Sequence, residues 1–223
     1  MIGSQSIDPK KQQEIIDIVV RNAKRLQKLS DNLLDITRIE GGALELKKEQ
    51  VRLDEIISDA IIDFQSQIRK ENKDVKIEYS SPQGDIFVEA DRTRLIQVVS
   101  NLLNNALKFT DYGTVSVLLQ SNQDEATVSI SDTGHGIDPQ ILSRLFTKFT
   151  SKSVRGVGLG LYISKSIVEA HGGSIWGKNN IDKKGATFYF SLPLQRKPIE
   201  EIEPNTTTTI EPNTTTTNRE TMS

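Results

Sequence analysis

The chain has 223 residues, 35% hydrophobic and 26% charged, and its 28 basic side chains nearly balance 30 acidic ones for a formal charge of -2. This composition is that of a soluble globular protein rather than a disordered one, and it provides no basic footprint for nucleic acid. The absence of cysteine excludes disulfide frameworks and thiolate metal sites and suits a cytoplasmic setting.

From Pro9 to Ile39, apolar residues fall at Ile15, Val19, Leu26, Leu29, Leu33 and Ile36, four and three apart around a polar Asn22. The spacing predicts a helix with a heptad seam, better suited to a helical hairpin or a dimer than to lying on its own domain. MIGSQSIDPKK lacks the basic-then-apolar order of a signal peptide. No apolar run approaches the roughly 18 residues of a membrane span, although a longer parent protein could be membrane-tethered.

Gly41 and Gly42 end the helix, and LELKKEQVRL (44–53) alternates as a strand does. The domain boundary falls here, with 1–42 as a helical unit and 43–195 as the main domain. Within the latter, helices are predicted over Asp54–Lys70, Asp91–Phe109 and about Gly158–Ala170. Strands are predicted at VKIEYS, DIFVEA, GTVSVLLQS, EATVSISD, GSIWGK and ATFYFSLP. Mixed, mostly antiparallel strands with helices covering one face define an α+β two-layer sandwich. IEPNTTTT occurs twice in succession in 196–223, which is expected to be a disordered, Thr-rich tail.

Four stretches carry chemistry. In QVVSNLLNNALKFT, Gln97, Asn101, Asn105 and Lys108 are four, four and three apart and share one side of a helix. An amide oxygen is a neutral hard ligand for Mg²⁺ and an ammonium neutralises phosphate, so the row suits a metal-nucleotide complex. Asn and Lys are equally common on a solvated face. In SDTGHGIDP, Asp132 ends a strand while Gly134 and Gly136 permit close backbone approach, so its carboxylate can meet an exocyclic amine; a plain tight turn is the alternative. GVGLGLYIS sets Gly156, Gly158 and Gly160 at a helix opening, where free N–H groups attract anions, without the lysine of a P-loop. GATFYF adds a glycine and Thr187 at a strand start.

In this order the stretches resemble the ATP-binding catalytic domain of sensor histidine kinases. That domain is part of the wider GHKL superfamily, which also holds gyrase, a heat-shock chaperone family and the mismatch-repair ATPases. NLLNNALKFT is similar to the N box, DTGHG to the first glycine box, LFTKF to the F box, GVGLGL to the second glycine box and GATF to the third. RLQKLSDNLLDITRIEGGALELKKEQVRL resembles the second helix of the dimerisation domain and its linker, so that about Ile7 to Leu194 is covered.

The resemblance implies a two-layer sandwich of the GHKL type after a long coiled-coil-like helix, with ATP and Mg²⁺ as cofactors. Asn105 takes the place of the metal ligand, Asn101 and Lys108 line the phosphate side, and Asp132 receives the adenine amine. Gly134 and Gly136 form the adenine-side loop. Gly156, Gly158 and Gly160, with Leu159 and Leu161, form the hinge of a lid over the phosphates, and Thr187 completes the cofactor site. Lys152 and Arg155 are the only cations between Phe149 and Gly158; either one meets the γ-phosphate or both merely solubilise the loop.

Hydrolysing members of the superfamily carry a glutamate four residues before the metal asparagine. Here that residue is Asn101, and an amide takes no proton at neutral pH, which favours a kinase over an ATPase. Of the two histidines, His135 faces nucleotide or solvent, and His171 ends a helix as a polar residue favourable to its dipole. Neither matches the family's phosphoacceptor motif, and Met1 falls where the loop between the two dimerisation helices is expected.

The expectation is therefore the catalytic region of a two-component histidine kinase, which donates the γ-phosphoryl group to a histidine on a helix supplied from elsewhere. Its partners would be that phosphoacceptor helix, a downstream response regulator and, with a complete hairpin, a second copy through the helical seam. The alternative is a nucleotide-binding or interaction module without kinase activity.

Overall fold

EATVSISD alternates small or β-branched apolar residues with hydroxyls, and it forms the central strand of the domain. The computed structural model describes residues 8–71, 73–150, 158–181 and 184–194. In chain order the elements are α1 (Pro9–Glu40), β1 (Glu49–Arg52), α2 (Leu53–Glu71), β2 (Asp74–Ser80), β3 (Phe87–Ala90) and α3 (Arg92–Phe109). They continue with β4 (Tyr112–Ser121), β5 (Glu125–Asp132), α4 (Pro139–Leu142), α5 (Gly160–Ala170), β6 (Ser174–Asn179) and β7 (Ala186–Pro193).

Five strands form one sheet in the order β2-β4-β5-β7-β6, parallel between β2 and β4 and antiparallel elsewhere. The period of two sends Val115, Val117, Leu119, Ala126, Val128, Ile130, Phe188 and Phe190 into the core. They join Ile56 and Ile57 of α2, Leu95, Val98 and Leu102 of α3, and Ile163 and Ile167 of α5 in one cluster. Each of the Val, Leu, Ile and Phe side chains contributes about 1.5–3 kcal/mol by leaving water. The result is the α+β sandwich that the patterning predicts.

Two local differences have physical causes. The strand predicted over 44–53 is reduced to β1, which pairs with β3 as a separate two-stranded ribbon instead of joining the main sheet. Ahead of it the Lys47 N–H donates to Asp91 Oδ2 at 3.0 Å, so a side chain rather than a ladder satisfies that backbone group. The short α4 follows Asp138, whose carboxylate accepts from the Gln140 N–H, with Pro139 at the first helical position.

Helix α1 departs further from its expected role. Ile15, Val19, Leu26 and Leu33 are half exposed or more, but Leu29 is half-buried and Ile36 is buried against the domain. The seam thus divides, and from Leu29 to Ile39 the helix lies on its own domain. Asp35 fixes it there: its Oδ1 accepts from Arg94 Nη1 at 2.7 Å and its Oδ2 from Gln97 Nε2 at 2.8 Å. Gln97 therefore leaves the row of amides on α3 and anchors α1. Arg94 and Gln97 supply Asp35 with partners that a heptad pattern does not contain.

His171 ends α5 as the sequence predicts, and it also joins that helix to α3. It caps α5 with Nδ1 donating to the Ile167 carbonyl at 2.7 Å and Nε2 accepting from the Asp91 N–H at 2.9 Å. Nε2 accepts a hydrogen bond and burial lowers the pKa, so the ring is a neutral bridge from α5 to the start of α3. The unfolded chain binds this proton near the ordinary 6.5 and the folded one only below it, so stability is full above that value and falls as pH drops below it. The thermal stability of His171→Gln is expected to vary less between pH 7.5 and 5.5 than that of the unsubstituted chain; equal slopes would contradict the neutral bridge.

Candidate functional site

The second half of α3, the turn after β5, the start of β7 and the opening of α5 surround a cavity of about 540 Å³. Asn101, Asn105 and Lys108 reach it from α3, four and three residues apart on one helix face. Asp132 and Gly136 reach it from the end of β5 and the turn beyond. Gly158, Leu159, Gly160 and Leu161 border it at the start of α5, and Ile137, Ile141, Leu145 and Phe188 give it an apolar wall.

Asp132 is buried, yet it is only half used by the protein. Its Oδ1 accepts from the Gly134 N–H at 2.9 Å and the Ala186 N–H at 3.3 Å; among the described residues no donor reaches Oδ2. Burial raises its pKa, with the two backbone N–H groups and His135 opposing. The close fit needs glycine: a Cβ on Gly134 would collide with the Phe109 carbonyl, and one on Gly185, at φ 100°, with the Asp132 carbonyl. A buried carboxylate with one open oxygen beside an apolar wall is an acceptor for an amine on a flat, apolar ligand.

Asn101 is buried, and its Nδ2 lies 3.4 Å from both the Gly160 carbonyl and Ser164 Oγ, which ties α3 to the start of α5. Asn105 is half-buried and makes no side-chain hydrogen bond with the described residues. Lys108 is half-buried over the Phe109 ring, 5.0 Å from its centroid, and desolvation lowers its pKa. Among the described residues no group of three or more His, Cys, Asp or Glu side chains could hold a metal ion. A lone amide oxygen at Asn105 suits Mg²⁺ that arrives on phosphate oxygens and keeps some of its water, so the donor set fits the ion in that form only.

Several predicted residues stand elsewhere. Gly134 does not line the cavity; it makes room for Asp132. Thr187 does not line it either: its Oγ1 donates to Asn180 Oδ1 at 2.6 Å, and Asn180 Nδ2 donates to the Asp132 carbonyl at 3.0 Å, so Thr187 acts through Asn180. Lys152, Arg155 and Gly156 lie outside the described residues, as does the tail. The two ends of the segment that holds them meet, since a Cβ on Gly158, at φ 74°, would lie 2.7 Å from Thr150 N. His135 is on the rim, about three-quarters exposed, with Nε2 3.7 Å from Asp111 Oδ2.

The sequence reading missed Asn179 and Asn180. Asn179 grips the glycine loop from β6, accepting from the Ile137 N–H at 2.6 Å and donating to the Ile137 carbonyl at 2.8 Å. Its only signal was an Asn-Asn pair at a strand end, which reads as a turn. The reading also missed Arg25, Lys28, Leu29 and Asn32, which border the cavity from α1.

The Histidine kinase-, DNA gyrase B-, and HSP90-like ATPase family matches residues 90–196. The sensor protein KdpD of Clostridium acetobutylicum is 38% identical over 198 residues, which are 86% of this chain and 21% of KdpD. This chain thus spans about a fifth of that relative. The catalytic domain of the histidine kinase ThkA is 33% identical with a TM-score of 0.59, over 66% of this chain and 96% of that domain. A longer ThkA structure, in complex with the response regulator protein TrrA, is 28% identical with a TM-score of 0.65, over 86% of this chain and 54% of that one. The carboxylate, the amide row and the glycine turns lie inside the matched region, and the chain belongs to the sensor histidine kinases, as their histidine kinase ATPase catalytic domain.

Proposed function

We propose that the chain binds Mg-ATP and donates its γ-phosphoryl group to a histidine on a dimerisation helix supplied from outside the described residues. The observation that carries this is the pairing, in one cavity, of the half-used carboxylate of Asp132 with the free amide of Asn105 and the desolvated ammonium of Lys108. Asp132 accepts the adenine amine, and Ile137, Ile141, Leu145 and Phe188 hold the ring. Lys108 neutralises phosphate charge, which a partly desolvated ammonium does more strongly than one in water. Mg²⁺, when bound with the nucleotide and held by Asn105, neutralises charge on the phosphate oxygens.

In the transfer, an imidazole nitrogen attacks Pγ in line. The P–O bond to the bridging oxygen breaks, and ADP leaves with that electron pair. The protein's task is to position and to neutralise, because this transition state asks for little covalent help. Asn101 offers no base to activate water, so transfer to an external nucleophile is favoured over hydrolysis. Neither internal histidine suits the role of acceptor: His171 is buried with both ring nitrogens engaged, and His135 is on the rim of the cavity.

Residues 1–42 act as the second helix of the dimerisation hairpin and 43–195 as the catalytic domain. The exposed Ile15, Val19, Leu26 and Leu33 support pairing of that helix with the other helix of the hairpin and, through the hairpin, with a second copy. The ThkA complex supports a response regulator as the next acceptor, on an aspartate. The same apolar face also favours a second reading, an interaction module that binds nucleotide without transfer.

The test is incubation with γ-labelled ATP and a dimerisation hairpin that carries a histidine. Acid-labile label is expected on the hairpin and not on the chain. ATP binding without label would favour the interaction module, and steady phosphate release without any acceptor would revive hydrolysis. Asn105→Asp adds a charge at the metal ligand, so the Mg²⁺ concentration for half-maximal ATP binding is expected to shift; an identical Mg²⁺ requirement would remove Asn105 as the ligand.

A further inference from the structure

Helix α1 does more than dock: one of its faces closes the nucleotide cavity. Arg25, Lys28, Leu29 and Asn32 follow one another at i, i+3, i+4 and i+7, and all four line the cavity. The same face runs on through Asp35 and Ile36, whose contacts with the domain hold it in place. Leu29 and Asn32 are half-buried, while Arg25 and Lys28 are exposed. Neither cation is in an ion pair among the described residues. The Lys108 ammonium lines the same cavity from α3, likewise without a carboxylate partner there.

Three cations thus border one cavity. Of its two acidic lining residues, Asp132 is bonded through the glycine turn and Asp138 caps α4. The three cations outnumber the two carboxylates in this wall, and that excess of positive charge matches a polyphosphate.

We propose that Arg25 and Lys28 are polyphosphate ligands and that a nucleoside triphosphate held by Asp132 is clamped between α1 and α3. This rests on the nucleotide reading of the cavity and deepens it. Both ligands lie outside the residues 90–196 that the family match covers and outside every glycine-rich stretch. The bound triphosphate then links the helical unit to the catalytic domain, so its charge bears on how firmly α1 is held.

The test compares Mg-ATP with adenosine on the full chain at fixed ionic strength. For Arg25→Ala with Lys28→Ala, ATP affinity is expected to fall about tenfold or more, with a shallower salt dependence, while adenosine binds as before. The exchange Arg25→Lys with Lys28→Arg is expected to retain most of the ATP affinity. If the unsubstituted chain binds ATP and the double alanine variant binds it within twofold as well, the clamp is wrong and the nucleotide reading stands. An equal loss of ATP and adenosine would also overturn the clamp, because the effect would then come from the shape of the cavity. If the unsubstituted chain binds neither ligand, the nucleotide reading falls and the clamp with it.

Discussion

Asp132→Asn is expected to weaken adenine-nucleotide binding by about 1.5–3 kcal/mol, roughly 10- to 150-fold, without lowering thermal stability. The two backbone donors both use Oδ1, and an asparagine oxygen can keep them. The new amide nitrogen then takes the place of Oδ2 and presents a donor where the adenine amine also needs an acceptor. Stability is spared because burial raises the pKa of this carboxylate, so its ionised form is disfavoured in the fold. Its contribution to stability is greatest at low pH and is lost as pH rises through the raised value. The same shift predicts that ATP affinity declines on acidification at a higher pH than an ordinary aspartate would give, as protonation removes the acceptor. Calorimetry and a thermal melt on one preparation read both effects. Unchanged affinity would exclude Asp132 from the site, and a large drop in melting temperature would recast it as a structural group.

Gly185→Ala is expected to destabilise the fold by about 2–5 kcal/mol, through overpacking and a left-handed backbone together. Gly185 has φ 100°, and an added Cβ would strike the Asp132 carbonyl and lie 2.8 Å from Asp132 Oδ1. Both obstacles belong to the central strand and the buried carboxylate, which have little room to retreat. Gly84 is the control: its φ is 75°, but nothing lies within 4 Å of a Cβ there, so Gly84→Ala carries only the backbone cost of about 1 kcal/mol. Equal losses in denaturant melts of the two variants would show that close approach to Asp132 is not what position 185 requires.

Periodicity revealed faces but not what each face meets. The alternation in EATVSISD and ATFYFSLP was enough to place the central strands, and the four-four-three spacing on α3 was enough to turn Asn101, Asn105 and Lys108 to one side. The same spacing included Gln97, which the fold turns to Asp35 instead, because a helical pattern is blind to a partner 62 residues away. The seam of α1 was legible only in part: an apolar stripe is compatible with another helix or with the domain itself, and the Asp35 contacts hold only the stretch from Leu29 to Ile39 on the domain. Asn179 and Asn180 escaped notice because they shape the site through backbone groups of Ile137 and Asp132, whose need for partners exists only once the turn is folded. His171 was legible as a helix end but not as a neutral bridge, since its acceptor role depends on the Asp91 N–H eighty residues earlier.

The most direct test of the central claim is calorimetric titration of this chain with ATP in the presence of Mg²⁺ and again with EDTA. Saturable one-site binding at micromolar to sub-millimolar concentration, weakened by EDTA, is the predicted result. Absence of binding in both conditions would contradict the nucleotide site, whatever the fold.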